Sequence, residues 1–347
     1  MKVILSRKGL DTSFGDNAGN LLLFNQDKSK AELIMLPIPE LDSYRTYSDT
    51  LNYWELDSGN GDSYKKYMYL FENFKFLEKY YPLRRCDNRL VEEKREINPE
   101  NLWSSWCHPD PDIMPHERPF GTFGQVGPAQ SHLENQKVGV NDLFIFFGLF
   151  NEGVDYYDKV INLNSKKQKH IMFGYLQIGE IIKTSDLNEN QIKYYDKKYN
   201  PYIRLNPHWD YNYDPYDSYW PTYMPAPDNT VQPKYKLRKK HYWIDKTNCI
   251  YVSRETCTFD ENIKGFGMFE FDENLILTKQ GESAPTHWEL PQELQGLKIS
   301  YHNDNSQKKD YFQSALRGQE FVIEECPQAE QWALNLIKKY SKNRGVK

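Results

Sequence analysis

The chain has 347 residues, 39% hydrophobic, 27% charged and 15% aromatic, with net charge -5 and a pI near 6.0. A protein held to DNA mainly by phosphate contacts is more basic than this, so nucleic-acid contact is expected to be local, and a nucleotide or a flipped base suits the charge better. No apolar run reaches membrane-span length, the segment after Met1 is too short for a signal-peptide core, and the five cysteines include no CxxC pair. The expectation is a soluble cytoplasmic protein with no membrane contact and no four-thiolate zinc site.

The length predicts two or three structural units or one elaborated domain. Residues 2–5 (KVIL) read as a strand opening into Ser6-Arg7-Lys8-Gly9-Leu10-Asp11. Such a strand end can hold an anion, with Arg7 forming a bidentate contact to phosphate or carboxylate. Equally, Arg7 and Asp11 can pair and organise a turn. Residues 33–38 (LIMLPI) read as a second strand, and the polar segment between the two as a loop or hairpin. Residues 64–80 look helical and 84–97 exposed.

The segment His108-Pro109-Asp110-Pro111-Asp112 sets hard or borderline ligands on alternate residues, which share a face in extended chain. A divalent cation fits that pattern, and so do Asp residues that start turns. His108 also offers acid–base chemistry. Beside it, Cys107 is a poor partner, because adjacent extended residues point to opposite faces. Next come Arg118, Gln125, Gln130, Ser131 and His132, punctuated by Gly121, Gly124 and Gly127. Glutamine offers the donors and acceptors that read a base edge, and glycine allows close backbone approach. The other reading is a buried polar network that stitches a loop to the core.

From residue 138 the pattern is β. Leu143 to Phe150 is an apolar strand, 151–169 a polar insert, and 170–182 a strand with Gly174 and Gly179. This order is similar to the small barrels of the PUA, ASCH and EVE group. Residues 183–240 lack regular pattern and read as a long ordered excursion. They include Asn206-Pro207-His208-Trp209-Asp210, a catalytic or stacking element or a structural His. Residues 249–253 and 268–277 read as strands and 328–342 as an amphipathic helix. No Walker loop, GxGxxG helix start, HExxH, GxSxG or kinase set is present.

Several motifs together resemble the family called nucleotide modification associated domain 3. They are Ser6 to Gly15 (SRKGLDTSFG), Leu36 to Pro39 (LPIP), His108 to Asp112, Gly124 to Phe150 and Gly265 to Pro291. The family's HPH motif stands here as Asn206-Pro207-His208, with Asn in the first His position. The resemblance implies an enzyme-like component of bacterial and phage systems that modify nucleic-acid bases. Its proposed active positions correspond here to Arg7, Asp11, His108, Asp110, Arg118, Gln125, His132 and His208.

The fold expectation is an α+β, strand-rich protein with a PUA/ASCH/EVE-like β-barrel core and peripheral helices. The domain would span 1–300, with the barrel core at about 120–185, the excursion at 186–240 and a C-terminal helical extension at 301–347. Asp11, His108, Asp110 and His132 are the candidate catalytic groups. Ser6, Arg7, Lys8, Arg118, Phe123, Gln125, Gln130, Phe147, His208 and Trp209 are the candidate ligand contacts, the aromatics by stacking on a base. The expected partner is a base, in DNA, or a nucleotide, with other proteins of a modification or defence system. A divalent metal is left open as cofactor. The alternative is a non-catalytic PUA-like reader of modified bases.

Overall fold

The computed structural model describes residues 1–9, 20–25, 27–35, 38–39, 107–108, 111–113, 119–156, 159–161, 168–200, 203, 206–209, 242–315 and 319–342. In chain order, β1 (Val3–Arg7), β2 (Asn20–Phe24), β3 (Ala31–Ile34), β4 (Ile38–Pro39), β5 (Cys107–His108) and β6 (Thr122–Gln125) precede α1 (Gly127–Asn135). Then come β7 (Leu143–Tyr156), β8 (Lys159–Ile161), β9 (Lys169–Lys183) and α2 (Glu189–Tyr199). Next, β10 (Cys249–Ser253), β11 (Thr256–Cys257), β12 (Asp260–Lys264) and β13 (Phe266–Met268) follow. The chain closes through β14 (His287–Trp288), β15 (Phe312–Gln313), β16 (Glu320–Val322) and α3 (Pro327–Tyr340). The class is α+β and strand-rich, as the sequence implies.

Ten strands form one sheet around β7. Leu143 to Phe150 are buried throughout, which explains a continuous apolar run rather than alternation. Both β1 and β2 run parallel to one edge of β7, opposite Leu143–Phe147 and Phe150–Val154 respectively. Gly148 lies in the gap between them. A β-carbon there would stand 2.7 Å from the Lys8 carbonyl oxygen and 2.9 Å from Asn20 Nδ2. Glycine therefore lets β1 leave the sheet where β2 enters it.

The other edge of β7 pairs with β9 and, in a hairpin, with β8. Along the hydrogen-bonded path the order is β16-β1-β7-β9-β10-β6. Although β9 and β10 separate β6 from β7, the ring of Phe123 on β6 is 5.2 Å from Phe144 and 5.7 Å from Phe146 on β7. The sheet is thus curled into a half-barrel with these rings inside. A second apolar cluster, with Phe120, Tyr199, Ile203, Trp209, Ile250 and Val252, brings together α2, β10 and the 206–209 segment. On α3, Trp332, Ala333, Leu336, Ile337 and Tyr340 are buried. Among the described residues no helix is long and apolar enough to cross a membrane.

Several elements differ from expectation. Asn20–Phe24, expected in a loop or hairpin, is a sheet strand, because Leu21 to Leu23 are buried against the end of β7. The 151–169 insert begins with six more residues of β7 and the β8 hairpin partner. Within the excursion, Glu189–Tyr199 is helical, started by a capping box in which Asn188 Oδ1 accepts from Gln191 N–H and the Gln191 side chain accepts from Asn188 N–H. Glu320–Val322, inside the expected C-terminal helical extension, pairs antiparallel with β1 and so belongs to the sheet. The helical reading of 64–80 and the exposed reading of 84–97 lie outside the described residues.

Candidate functional site

Strand parity sorts the Ser6-Arg7-Lys8 motif onto two faces. Ser6 and Lys8 share a face with Ile4 and with Glu320, which stands opposite Ser6 in the β1–β16 register. This is the inner face of the half-barrel, where Phe144 and Phe146 lie opposite Ile4 and Ser6. Arg7 projects to the other face, opposite Phe147.

On the inner face Lys8 Nζ donates to Glu320 Oε1 at 2.8 Å, with the two side chains 2% and 1% exposed. Gln125 Nε2 donates to the same oxygen at 2.6 Å. The ammonium also lies 4.4 Å from the centroid of the Phe123 ring, a cation–π contact. These three polar groups come from the residue that follows β1, from β6 and from β16. They bridge the two end strands of the sheet path, which share no backbone ladder among the described residues. Among the described residues, Ser6 Oγ and Glu320 Oε2 here have no hydrogen-bond partner.

Helix α1 follows β6 directly and packs against β16. It turns Gln130 inward, where Gln130 Oε1 accepts from Tyr251 O–H at 2.9 Å. Burial pushes the Tyr251 hydroxyl well above its usual pKa. One step along, partly buried His132 meets Ser300: Nε2 and Oγ are 2.9 Å apart. Ser300 Oγ accepts from Val322 N–H at 2.8 Å, so its own proton is left to donate. His132 Nε2 is its nearest acceptor, compared with the Glu320 carbonyl at 3.5 Å. Because the hydroxyl can also donate to the Glu320 carbonyl and accept from Nε2–H, either imidazole tautomer satisfies this network. Partial burial lowers the His132 pKa, opposed by the negative charge of Glu320, so the ring is a neutral base near pH 7. The Tyr301 ring covers it at 4.2 Å, from a backbone held at φ 65°, unusual for a bulky residue.

The remaining expected residues fall elsewhere. Phe147 is enclosed by Trp288, His170 and Phe321. Its neighbour His170 is fully buried, accepts from Trp288 Nε1 at 2.9 Å, and has its pKa pushed down to about 3 by burial, with the Arg7 charge adding to the shift. His208 lies on the outer face of β6: a β-carbon at Gly124 would overlap its ring. It stacks on Tyr242, and its Nδ1 lies 2.5 Å from Asn248 Oδ1. Asn206, in the family's first His position, donates to Thr122 on that same outer face. Trp209 donates to Asp196 and packs edge-on against Tyr195 and Trp243. Gly121 and Gly124, expected to admit a ligand, are approached instead by the rings of Phe266 and His208.

Of the candidate set, the structure gathers Ser6, Lys8, Phe123, Gln125, Gln130 and His132 and separates Arg7, Phe147, His208 and Trp209 from them. Asp11, Asp110, Arg118 and the side chain of His108 lie outside the described residues. No group of three or more His, Cys, Asp or Glu side chains suited to a metal ion occurs among the described residues. Sequence reasoning missed Glu320, Ser300 and Tyr251. The available signal was weak: Glu320 sits in QEFVIEE, where one acidic residue opens an apolar triplet.

No curated protein and no solved structure matches the chain. The family model described as nucleotide modification associated domain 3 matches residues 2–215 and 221–324. The matched residues carry both end strands of the half-barrel and every member of the inner polar cluster, and the chain belongs to the nucleotide modification associated domain 3 family.

Proposed function

We propose that this protein takes part in modification of nucleic-acid bases, holding a base or nucleotide at the junction of β6 and β16 and acting on it with His132 as an acid–base group. The observation that carries this reading is the pairing of a neutral imidazole with the Ser300 hydroxyl beside the buried Lys8–Glu320–Gln125 cluster. A general base needs a neutral ring, and burial lowers the His132 pKa with the Ser300 hydroxyl within hydrogen-bond reach, which supports this role. Family membership supports the substrate class. On this reading DNA supplies the base, the half-barrel is compared with PUA-like barrels, and the setting is a cytoplasmic modification or defence system with other protein components. Asp11, His108 and Asp110 remain candidates for the second acid–base group and Arg118 for phosphate, whereas Arg7 lies on the opposite face of β1.

Mass spectrometry of nucleosides from cells carrying the wild-type gene or His132→Ala tests it. The expected result is a modified nucleoside that disappears in the variant while soluble protein persists. Nucleotide or DNA binding with no change in nucleoside mass identifies a reader instead. Neither binding nor turnover overturns both readings.

A further inference from the structure

Two unpartnered polar atoms lie deep in the half-barrel. Glu320 is 1% exposed and Ser6 is 0% exposed. The two residues face each other across the β1–β16 ladder on the inner face of the sheet. Glu320 Oε1 receives both Lys8 Nζ and Gln125 Nε2, whereas Glu320 Oε2 and Ser6 Oγ receive nothing from the described residues. A buried carboxylate oxygen without a donor is costly, and in a folded protein it requires an explanation.

Resting on the nucleobase reading above, we propose that Glu320 and Ser6 form the inner end of the ligand site and take the neutral hydrogen-bonding edge of a nucleobase, not its phosphate. Charge decides between the two. Lys8 is spent on Glu320 at 2.8 Å, so the cluster carries no surplus positive charge and Oε2 repels an anion. Hydrogen-bonding capacity agrees. The carboxylate oxygen only accepts, and the Ser6 hydroxyl donates or accepts. Together they complement an N–H beside a carbonyl oxygen or ring nitrogen, the edge that every nucleobase presents. The interior around them is aromatic: Phe123, Phe144, Phe146 and Tyr251 pack ring to ring, with centroids within 6 Å in successive pairs. The SRK motif then divides its work by strand parity, with Ser6 and Lys8 inside and Arg7 outside.

Titration calorimetry with the four 2′-deoxynucleosides tests this on the full chain. Wild type is expected to bind at least one of them, and neither deoxyribose 5-phosphate nor inorganic phosphate should compete. Glu320→Gln keeps an oxygen for Lys8 and Gln125 and turns the Oε2 position into a donor. Ser6→Ala removes only the unpartnered hydroxyl and serves if the first variant fails to fold. Each is expected to weaken nucleoside binding about 10- to 100-fold, the range for losing a hydrogen bond to a charged or buried partner. Wild-type affinity in Ser6→Ala and in folded Glu320→Gln, or displacement by deoxyribose 5-phosphate, overturns the inference alone. Absence of binding to nucleosides, nucleotides and DNA alike overturns the functional reading and this inference with it.

Discussion

Removing one partner of the Lys8–Glu320 pair should harm the fold more than removing both. The two side chains are 2% and 1% exposed, and their charged atoms are 2.8 Å apart. Lys8→Met leaves a buried carboxylate with only Gln125 to donate to it. Glu320→Leu leaves a buried ammonium on the Phe123 ring. Each single change strands a charge and is expected to cost about 3–5 kcal/mol. The double variant removes both charges and keeps the volume, at the cost of the Gln125 hydrogen bond, about 1–3 kcal/mol. It should therefore lie within about 3 kcal/mol of wild type, with a coupling energy of about 3 kcal/mol or more. Guanidinium unfolding of the four proteins at pH 7 measures the cycle. A double variant that loses the sum of the two single penalties refutes the buried pair. The same protein separates stability from binding, because it should fold and yet fail to bind nucleosides.

The fully buried His170 has a folded pKa of about 3, far below the ordinary value, because burial disfavours its charged form. The unfolded chain then binds the extra proton, so stability is complete above about pH 6.5 and falls toward pH 3 at up to about 1.4 kcal/mol per pH unit. His170→Gln retains an acceptor for Trp288 and should flatten that slope between pH 4 and 6; equal slopes refute the assignment. Burial likewise pushes the thiols of Cys249 and Cys257 up to about 12, so neither should alkylate with iodoacetamide at pH 8 in the folded protein, as peptide mass spectrometry reads. Gly124→Ala drives a methyl group into the His208 ring and should destabilise by about 1–3 kcal/mol in urea unfolding; an unchanged midpoint refutes the contact. With His132 as base, the acid limb of the turnover–pH profile should fall below its ordinary pKa of about 6.5, and a limb above that value refutes the neutral-base assignment.

The apolar strand was legible because Leu143–Phe150 is covered on both faces and has no alternation to misread. The terminal helix was legible from its apolar positions Trp332, Leu334, Leu336, Ile337 and Tyr340, all of which are buried except the half-buried Leu334. Two missed elements had signals. Asn188 and Gln191 carry a capping box three residues apart, and Leu21-Leu22-Leu23 is an apolar run too short to stand out beside glycine-rich neighbours. The site was less legible for a physical reason. Ser6-Arg7-Lys8 reads as one anion cradle in sequence, but a strand has period 2 and sends its neighbours to opposite faces. Glu320 is, in sequence, one acid at the edge of an apolar triplet, and only the pairing of β16 with β1, more than three hundred residues away, brings it to the site.

The location of the cluster follows from how the sheet ends. A closed barrel would satisfy both of its end strands with a backbone ladder. Here β6 and β16 approach closely enough for Gln125 to reach Glu320 at 2.6 Å, yet no ladder joins them among the described residues. Side chains and α1 fill the gap in its place. Backbone ladders satisfy every donor and acceptor by geometry, whereas side chains do so only in part. Lys8 and Gln125 satisfy one oxygen of Glu320 and leave the other open. An incomplete closure therefore concentrates charge, hydrogen-bonding capacity and a partly exposed His132 at one point of an otherwise apolar interior. The His132–Ser300 pair stands at this opening because α1 and the residue before the Tyr301 turn are the elements that border it.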